Sequence, residues 1–290
     1  MTVATVEQAE RPAAAVAKKA RRRWRVTDVL SLAWLVALAL GMLLLPTLLG
    51  LDDQKTSAAE RLSGPTGAHW LGTDNYGRDL LARALGGARI SLLIGFGSVA
   101  VAALIGVPLG MLAGYLRGRL DATVSFVVDV ILAFPGLILA LALASFLGAS
   151  IANVMIAILV PMAPVFVRLA KAQTMSVAGR EYVEASQVIG TPTRSILRRD
   201  VLPNIREAIL AYGLVSVGTA ILIEGGLSFL GMGVPQPQPT WGGMINAGRV
   251  YLANDPLLVV VPAAFMLLTI LSLNLLADRF MSDAAAGGAR

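Results

Sequence analysis

The sequence predicts an all-α fold: a polytopic membrane helical bundle with six transmembrane helices. Mean hydropathy is +0.73, and only 14% of the 290 residues are charged against 56% hydrophobic. Soluble domains carry roughly a quarter charged residues. The apolar residues also fall in long blocks, several of them near the ~20 residues that a helix needs to cross a bilayer.

Residues 1–27 form an Ala-rich tail expected to be disordered, with a basic cluster at Lys18, Lys19, Arg21, Arg22, Arg23 and Arg25. Segment 28–51 follows as the first anchor. Its apolar part is too long for a signal peptide, and no small-residue cleavage site follows. Segment 52–89 is a polar loop. The core, 90–280, begins with the uncharged block 90–116. The next uncharged run, 130–167, is nearly twice the membrane thickness at 1.5 Å per residue. It must turn back near Ser145–Ser150, around Gly148, which gives spans near 122–146 and 150–167. The fifth and sixth spans run near 208–230 and 256–277, before a short tail at 281–290.

Lys and Arg set the orientation. Seven precede the first span and seven lie in the 168–206 loop, on the same side as Arg117, Arg119, Arg279 and Arg290. The other side holds Lys55, Arg61, Arg78, Arg83, Arg89 and Arg249. Both termini are therefore expected in the cytoplasm, with 52–89 outside. The net charge of +6 fits these loops better than it fits nucleic acid.

The composition excludes much chemistry. Without cysteine there is no disulfide or thiolate site, and the single histidine, His69, excludes two-histidine zinc motifs. No Gly-Lys dipeptide occurs, so there is no phosphate-binding P-loop. No metal, cofactor or catalytic residue is expected on this chain, and any ATP and Mg must be bound by another. An intramembrane protease lacks a second titratable partner for a nucleophile.

The 168–206 loop is unusually long, and such loops are usually functional. Tyr182, Ala185 and Ile189 share one helical face. Gly190 suits a helix end, and Thr191-Pro192 suits the start of a second helix with an apolar stripe at Ile196, Leu197 and Val201. The loop reads as helix–turn–helix. Glu184-Ala185-Ser186, Gly190 and Leu202-Pro203 resemble, in this spacing, the EAA signature of ATP-binding cassette importer permeases. Ser186 replaces an Ala of that signature, and Asp200 stands where it has Ile. The resemblance implies that Tyr182, Glu184, Ala185, Ser186, Gly190, Leu202 and Pro203 dock a separate ATPase subunit as a coupling helix.

Two further stretches resemble the peptide (and nickel) subgroup of that family, in its second, C-type permease. They are His69-Trp-Leu-Gly-Thr-Asp-Asn-Tyr-Gly-Arg-Asp79, and Leu227-Ser-Phe-Leu-Gly-Met-Gly-Val-Pro235 running on to Pro239-Thr-Trp-Gly-Gly-Met244. The resemblance covers roughly 69–280. It implies a bacterial plasma-membrane permease that carries peptides and works beside a second homologous permease, two ATPase domains and an extracytoplasmic substrate-binding protein.

On their residues alone, Gly72, Thr73, Asp74, Gly77, Arg78 and Asp79 read either as a docking surface or as the capped, ion-paired start of an amphipathic anchor. In the anchor reading, Leu80, Leu81, Ala84, Leu85 and Ala88 lie on the membrane surface. Trp241 and Tyr251 suit the aromatic belt. Asp129 and Glu224 are the acids well inside spans, where a carboxylate faces a cavity or a partner. Gly225-Gly226 beside Glu224 reads as a possible helix break, and these four residues are the translocation candidates. Gly106, Gly110 and Gly114 make one small face for helix packing. Two rival readings remain open here: an importer of nickel or another small solute, and an ion-driven secondary transporter using Asp129 and Glu224.

Overall fold

The computed structural model describes residues 25–287, with side chains as far as Met281. Most of the tail read as disordered therefore lies outside the described residues. The helices are α1 (Val26–Leu48), α2 (Leu80–Leu116), α3 (Gly118–Leu132), α4 (Gly136–Leu147), α5 (Ile151–Ala178), α6 (Glu181–Val188), α7 (Thr193–Ile196), α8 (Leu202–Phe229), α9 (Trp241–Gly248) and α10 (Leu257–Gly287). Five uninterrupted helical segments (α1, α2, α5, 193–229 and α10) are long and apolar enough to cross a membrane. The pair α3 and α4 makes a sixth candidate.

That sixth span differs from the expected straight helix at 122–146. It is bent by 83° between α3 and α4. Pro135 has no N–H to continue the ladder and disfavours helical geometry at Phe134. The turn expected near 145–150 is present: Gly148 has φ +84°, and the Ser150 side chain accepts from Asn153 N at 3.1 Å to start α5.

The core forms where α2, α5 and α8 meet, around Ile94, Ala102, Phe166, Ala170, Val217 and Ile221. Gly106, Gly110 and Gly114 are the reason α2 and α5 run so close. A Cβ on Gly106 would sit 2.7 Å from Phe166 Cβ, and one on Gly114 would sit 2.7 Å from Lys171 O. α1 is clasped to α10 by a hydrogen bond from Trp34 Nε1 to Thr269 Oγ1 (3.1 Å) and an ion pair between Arg279 and Asp28 (2.8 Å).

Two expectations are corrected. The segment 80–89 is not a surface anchor. It is the first part of α2, and Leu80, Ala84, Leu85 and Ala88 are buried. A side chain facing α9 and α10 has no need of lipid. Trp241 is likewise absent from any interfacial belt. It is wholly buried at the start of α9, with its indole N–H donated to Ala84 O at 3.0 Å, which satisfies the polar edge that would otherwise seek water.

Candidate coupling and translocation sites

At one end of the bundle, α5 runs on to Ala178 and the chain turns into α6. Glu181 and Glu184 occupy the first turn of α6, where acidic groups complement the helix dipole. Ser186 is accommodated by donating its hydroxyl back to Tyr182 O at 3.1 Å. Gly190, at φ +80°, makes the turn that other residues adopt only with strain. Pro192 then caps α7. The helix–turn–helix is present, but its second helix runs without a break through 193–229 into the fifth candidate span.

Leu202-Pro203 therefore lies inside a continuous helix. The turn 197–201 is π-helical, with Leu202 N bonded to Leu197 O. This wider turn precedes the one residue that cannot donate, Pro203. Tyr182, Glu184, Ala185 and Ser186 lie together on α6, whereas Leu202 and Pro203 lie across the turn on α8.

One residue fixes α6 to the body. Val183 is fully buried, within the same core as Val177, Ile196 and Val201. The far end of the short helix presents Val188 and Ile189, 87% and 80% exposed. Of these residues the sequence singled out Ile189 alone, on one face with Tyr182 and Ala185, and neither Val183 nor Val188 stood out. An adjacent apolar pair inside a charged loop was the available signal.

At the opposite end, the segment between α1 and α2 folds on itself. Asp74 accepts from Tyr76 N (2.8 Å) and Arg78 N (3.0 Å), and pairs with Arg78 Nε at 2.7 Å and Arg83 Nε at 3.3 Å. Arg78 and Arg83 both reach Gln236 Oε1 at 3.4 Å, which ties this segment to the loop before α9. Asp79 does two jobs: it caps α2 through Ala82 N (2.8 Å) and holds His69 Nδ1 at 2.7 Å. Thr73 Oγ1 bonds Glu60 O. The ion pair expected at the start of this segment thus joins Arg78 to Asp74, four residues back, within the turn that precedes α2.

Gly72 and Gly77, at φ +83° and +72°, pass against the backbone of Ser63 and Ser57. Thr73, Asp74, Arg78 and Asp79 are buried, whereas Tyr76 between them is exposed, so these four side chains brace the fold of this end of the molecule. Gly77→Ala should cost about 2 kcal/mol or more, from positive φ and a Cβ driven into the Ser57 carbonyl. Limited proteolysis of 52–79 should show it as faster cleavage, and wild-type resistance would refute the assignment.

The four translocation candidates separate into two places. Asp129, on α3, pairs with Arg168 of α5 at 2.6 Å, and both side chains are about 60% exposed. Two turns back on α3, Asp121 pairs with Lys171, and Ser125 bridges the two. These residues make a polar stripe between α3 and α5. Glu224, by contrast, is wholly buried. It accepts from Ser91 Oγ of α2 (3.1 Å) and Ser228 Oγ (2.7 Å), and Trp241 N of α9 donates to Ser91 at 3.3 Å. The Gly225-Gly226 break is not formed, since α8 is continuous there. The small residues instead admit a neighbouring backbone: a Cβ on Gly242 of α9 would lie 2.5 Å from Gly225 Cα.

A bundle of long apolar helices with a displayed short helix at one end and a braced polar cap at the other defines a polytopic membrane protein of the all-α class. Residues 106–282 match the family of binding-protein-dependent transport system inner membrane components, and this chain belongs to that family. It is 37% identical over 262 residues, 90% of this chain and 88% of the relative, to the probable D,D-dipeptide transport system permease protein DdpC of Escherichia coli. It is 36% identical over 233 residues, 80% of this chain and 77% of the relative, to the dipeptide transport system permease protein DppC of Alkalihalophilus pseudofirmus. Over 215 residues it is 39% identical to the glutathione transport system permease protein GsiD of Pectobacterium atrosepticum, covering 74% and 71% of the two chains. A chain of the MetNI methionine ABC transporter in an inward-facing conformation superposes with a TM-score of 0.57 at 19% identity, covering 68% of this chain and 94% of that one. That likeness concerns the fold.

Proposed function

We propose that this chain is the permease subunit of an ATP-driven importer that carries di- or oligopeptides into a bacterial cell. The observation that carries the reading is the similarity to a dipeptide permease across nearly the whole of both chains. In this reading the end of the bundle with α6 is cytoplasmic, as the basic residues of 168–206 require. ATP and Mg belong to two separate ATPase domains. A second homologous permease completes the pathway, and an extracytoplasmic binding protein delivers the peptide.

α6 is the docking knob. Tyr182, Glu184, Ala185 and Ser186 face the ATPase, with Val188 and Ile189 as the apolar contact. Gly190 sets the angle of the knob, and Leu202-Pro203 begins the helix that receives the motion. Rigid-body closure of the ATPases then reaches α5 through the short turn at Gly179-Arg180, and α8 directly, because α8 continues from α7 without a break.

The polar stripe between α3 and α5 lines the pathway. An exposed ion pair inside a membrane bundle faces water or a partner rather than lipid, so Asp129 and Arg168 are the pathway residues of this proposal. Glu224 instead ties α8 to α2, whose Ser91 holds α9. Glu224→Gln should keep peptide uptake within about two-fold, while Glu224→Ala, which leaves buried hydroxyls without an acceptor, should cost about 1–3 kcal/mol. Vesicle uptake beside thermal unfolding in detergent separates the two. A large loss of uptake in a stable Glu224→Gln protein would return Glu224 to the pathway.

The function is tested by tagging the chain in native membranes and identifying what co-purifies, then reconstituting the complex. A second permease with nucleotide-binding subunits, and ATP-dependent dipeptide uptake, is the expected result. Uptake of nickel but not peptide would replace the substrate. A chain that purifies alone and responds to an ion gradient would overturn the reading.

A further inference from the structure

We infer that a groove between α2 and the α7–α8 helix binds one anionic phospholipid, with the headgroup phosphate held by Arg194 and Arg198. Two adjoining cavities, of about 680 and 900 Å³, share Ala100 and Ala103 of α2. Together they follow α2 from Phe96 to Leu112, about 24 Å at the helical rise. That length exceeds the ~15 Å depth of one leaflet. The walls are apolar almost throughout, with Leu104, Met111, Leu197 and Leu214 among them. Leu104 is 74% exposed, so no part of the chain described here covers it.

Charge complementarity identifies the occupant. Arg194 and Arg198 line the end of the groove nearest α6. They lie one helical turn apart, so both can reach one phosphate. Among the described residues, no hydrogen bond or ion pair joins either guanidinium to another side chain. The acid on the groove, Glu207, sits nine residues beyond Arg198, about 14 Å along the helix. It therefore does not neutralise the pair. A long apolar slot ending in two unpartnered guanidiniums at the level where the loops turn basic matches acyl chain and phosphate respectively. The groove floor includes Leu197, which begins the π-helical turn, and Leu202, which follows it. A bound lipid would thus brace the segment through which α6 reaches α8.

The test uses the complex purified from native membranes. Native mass spectrometry should find phosphatidylglycerol or cardiolipin retained on this chain, a readout that needs no transport activity. In nanodiscs of mixed phosphatidylglycerol and phosphatidylcholine, the double variant R194Q/R198Q should lose roughly 30-fold in its preference for the anionic lipid. Uptake by the wild-type complex should rise several-fold with phosphatidylglycerol, and the variant should lose that rise while keeping its rate in phosphatidylcholine alone. The chain has no cysteine of its own, so Leu104→Cys reports who sits on the groove. Cross-linking of that thiol to the second permease would overturn the proposal in favour of a protein partner. Loss of the ATPase subunits from R194Q/R198Q would assign the two arginines to docking, and an unchanged lipid preference would also overturn it.

Discussion

Replacing Val188 and Ile189 together by Asp should strip the ATPase subunits from this protein and abolish ATP-driven uptake, while leaving the bundle folded. Both side chains are more than three-quarters exposed, so the substitution removes nothing from the core. The body of the chain holds α6 through Val183 and through the turn at Gly190, neither of which is touched. An apolar pair at the tip of a short helix has the form of an interface anchor. Such anchors are worth roughly 2 kcal/mol or more when truncated, which is about 30-fold in affinity. Two carboxylates forced into a desolvated pocket cost more than truncation alone. Glu184→Lys should have a smaller effect in the same direction, since reversing a charge at a contact rim acts mainly on association. Co-purification followed by uptake in proteoliposomes checks both. If the Asp pair still brings down nucleotide-binding subunits and transports at the wild-type rate, α6 is not the docking element.

Gly110→Leu should prevent the bundle from assembling. A Cβ at this position would already meet Val167 O and would lie 2.8 Å from Ala170 Cβ, before the rest of a leucine is placed. The obstruction is the backbone of α5, which cannot rotate away as a side chain can. Relief requires α2 and α5 to separate and expose their shared core around Phe166. Overpacking commonly costs 1–3 kcal/mol where neighbours adjust, so about 3 kcal/mol is a floor here. Gly213→Ala is the matched control. Its Cβ would meet nothing within 4 Å, and Ala is the better helix former by about 1 kcal/mol. Thermal scans of the two variants in detergent should bracket the wild type, with Gly110→Leu yielding little monodisperse protein. Equal melting of Gly110→Leu and wild type would show that α2 and α5 do not pack through this face.

What could be read directly from the residues was whatever depends on local order along the chain. Apolar blocks near twenty residues mark where a helix can replace water with lipid, because every backbone group is satisfied within the segment itself. Gly148 and Gly190 mark turns, since positive φ is a property of one residue. The 180–203 spacing located α6 for the same reason, and the glycines at 106, 110 and 114 announced a close crossing. Relatives over most of the chain agree with the family that this spacing resembled.

The tertiary structure alone decided which polar groups meet across separate elements. Arg168 lies 39 residues from Asp129, Ser91 lies 133 from Glu224, and Gln236 lies 153 from Arg83. Each pairing depends on the rotation and depth of two helices or loops, and hydropathy is blind to both once a block is uniformly apolar. The same blindness hid the burial of Leu80, Ala84, Leu85 and Ala88 and of the indole of Trp241, whose amphipathic look suits a membrane surface as well as a protein one. Composition tells how much of a helix must leave water. Only the packed bundle tells whether lipid or another helix receives it.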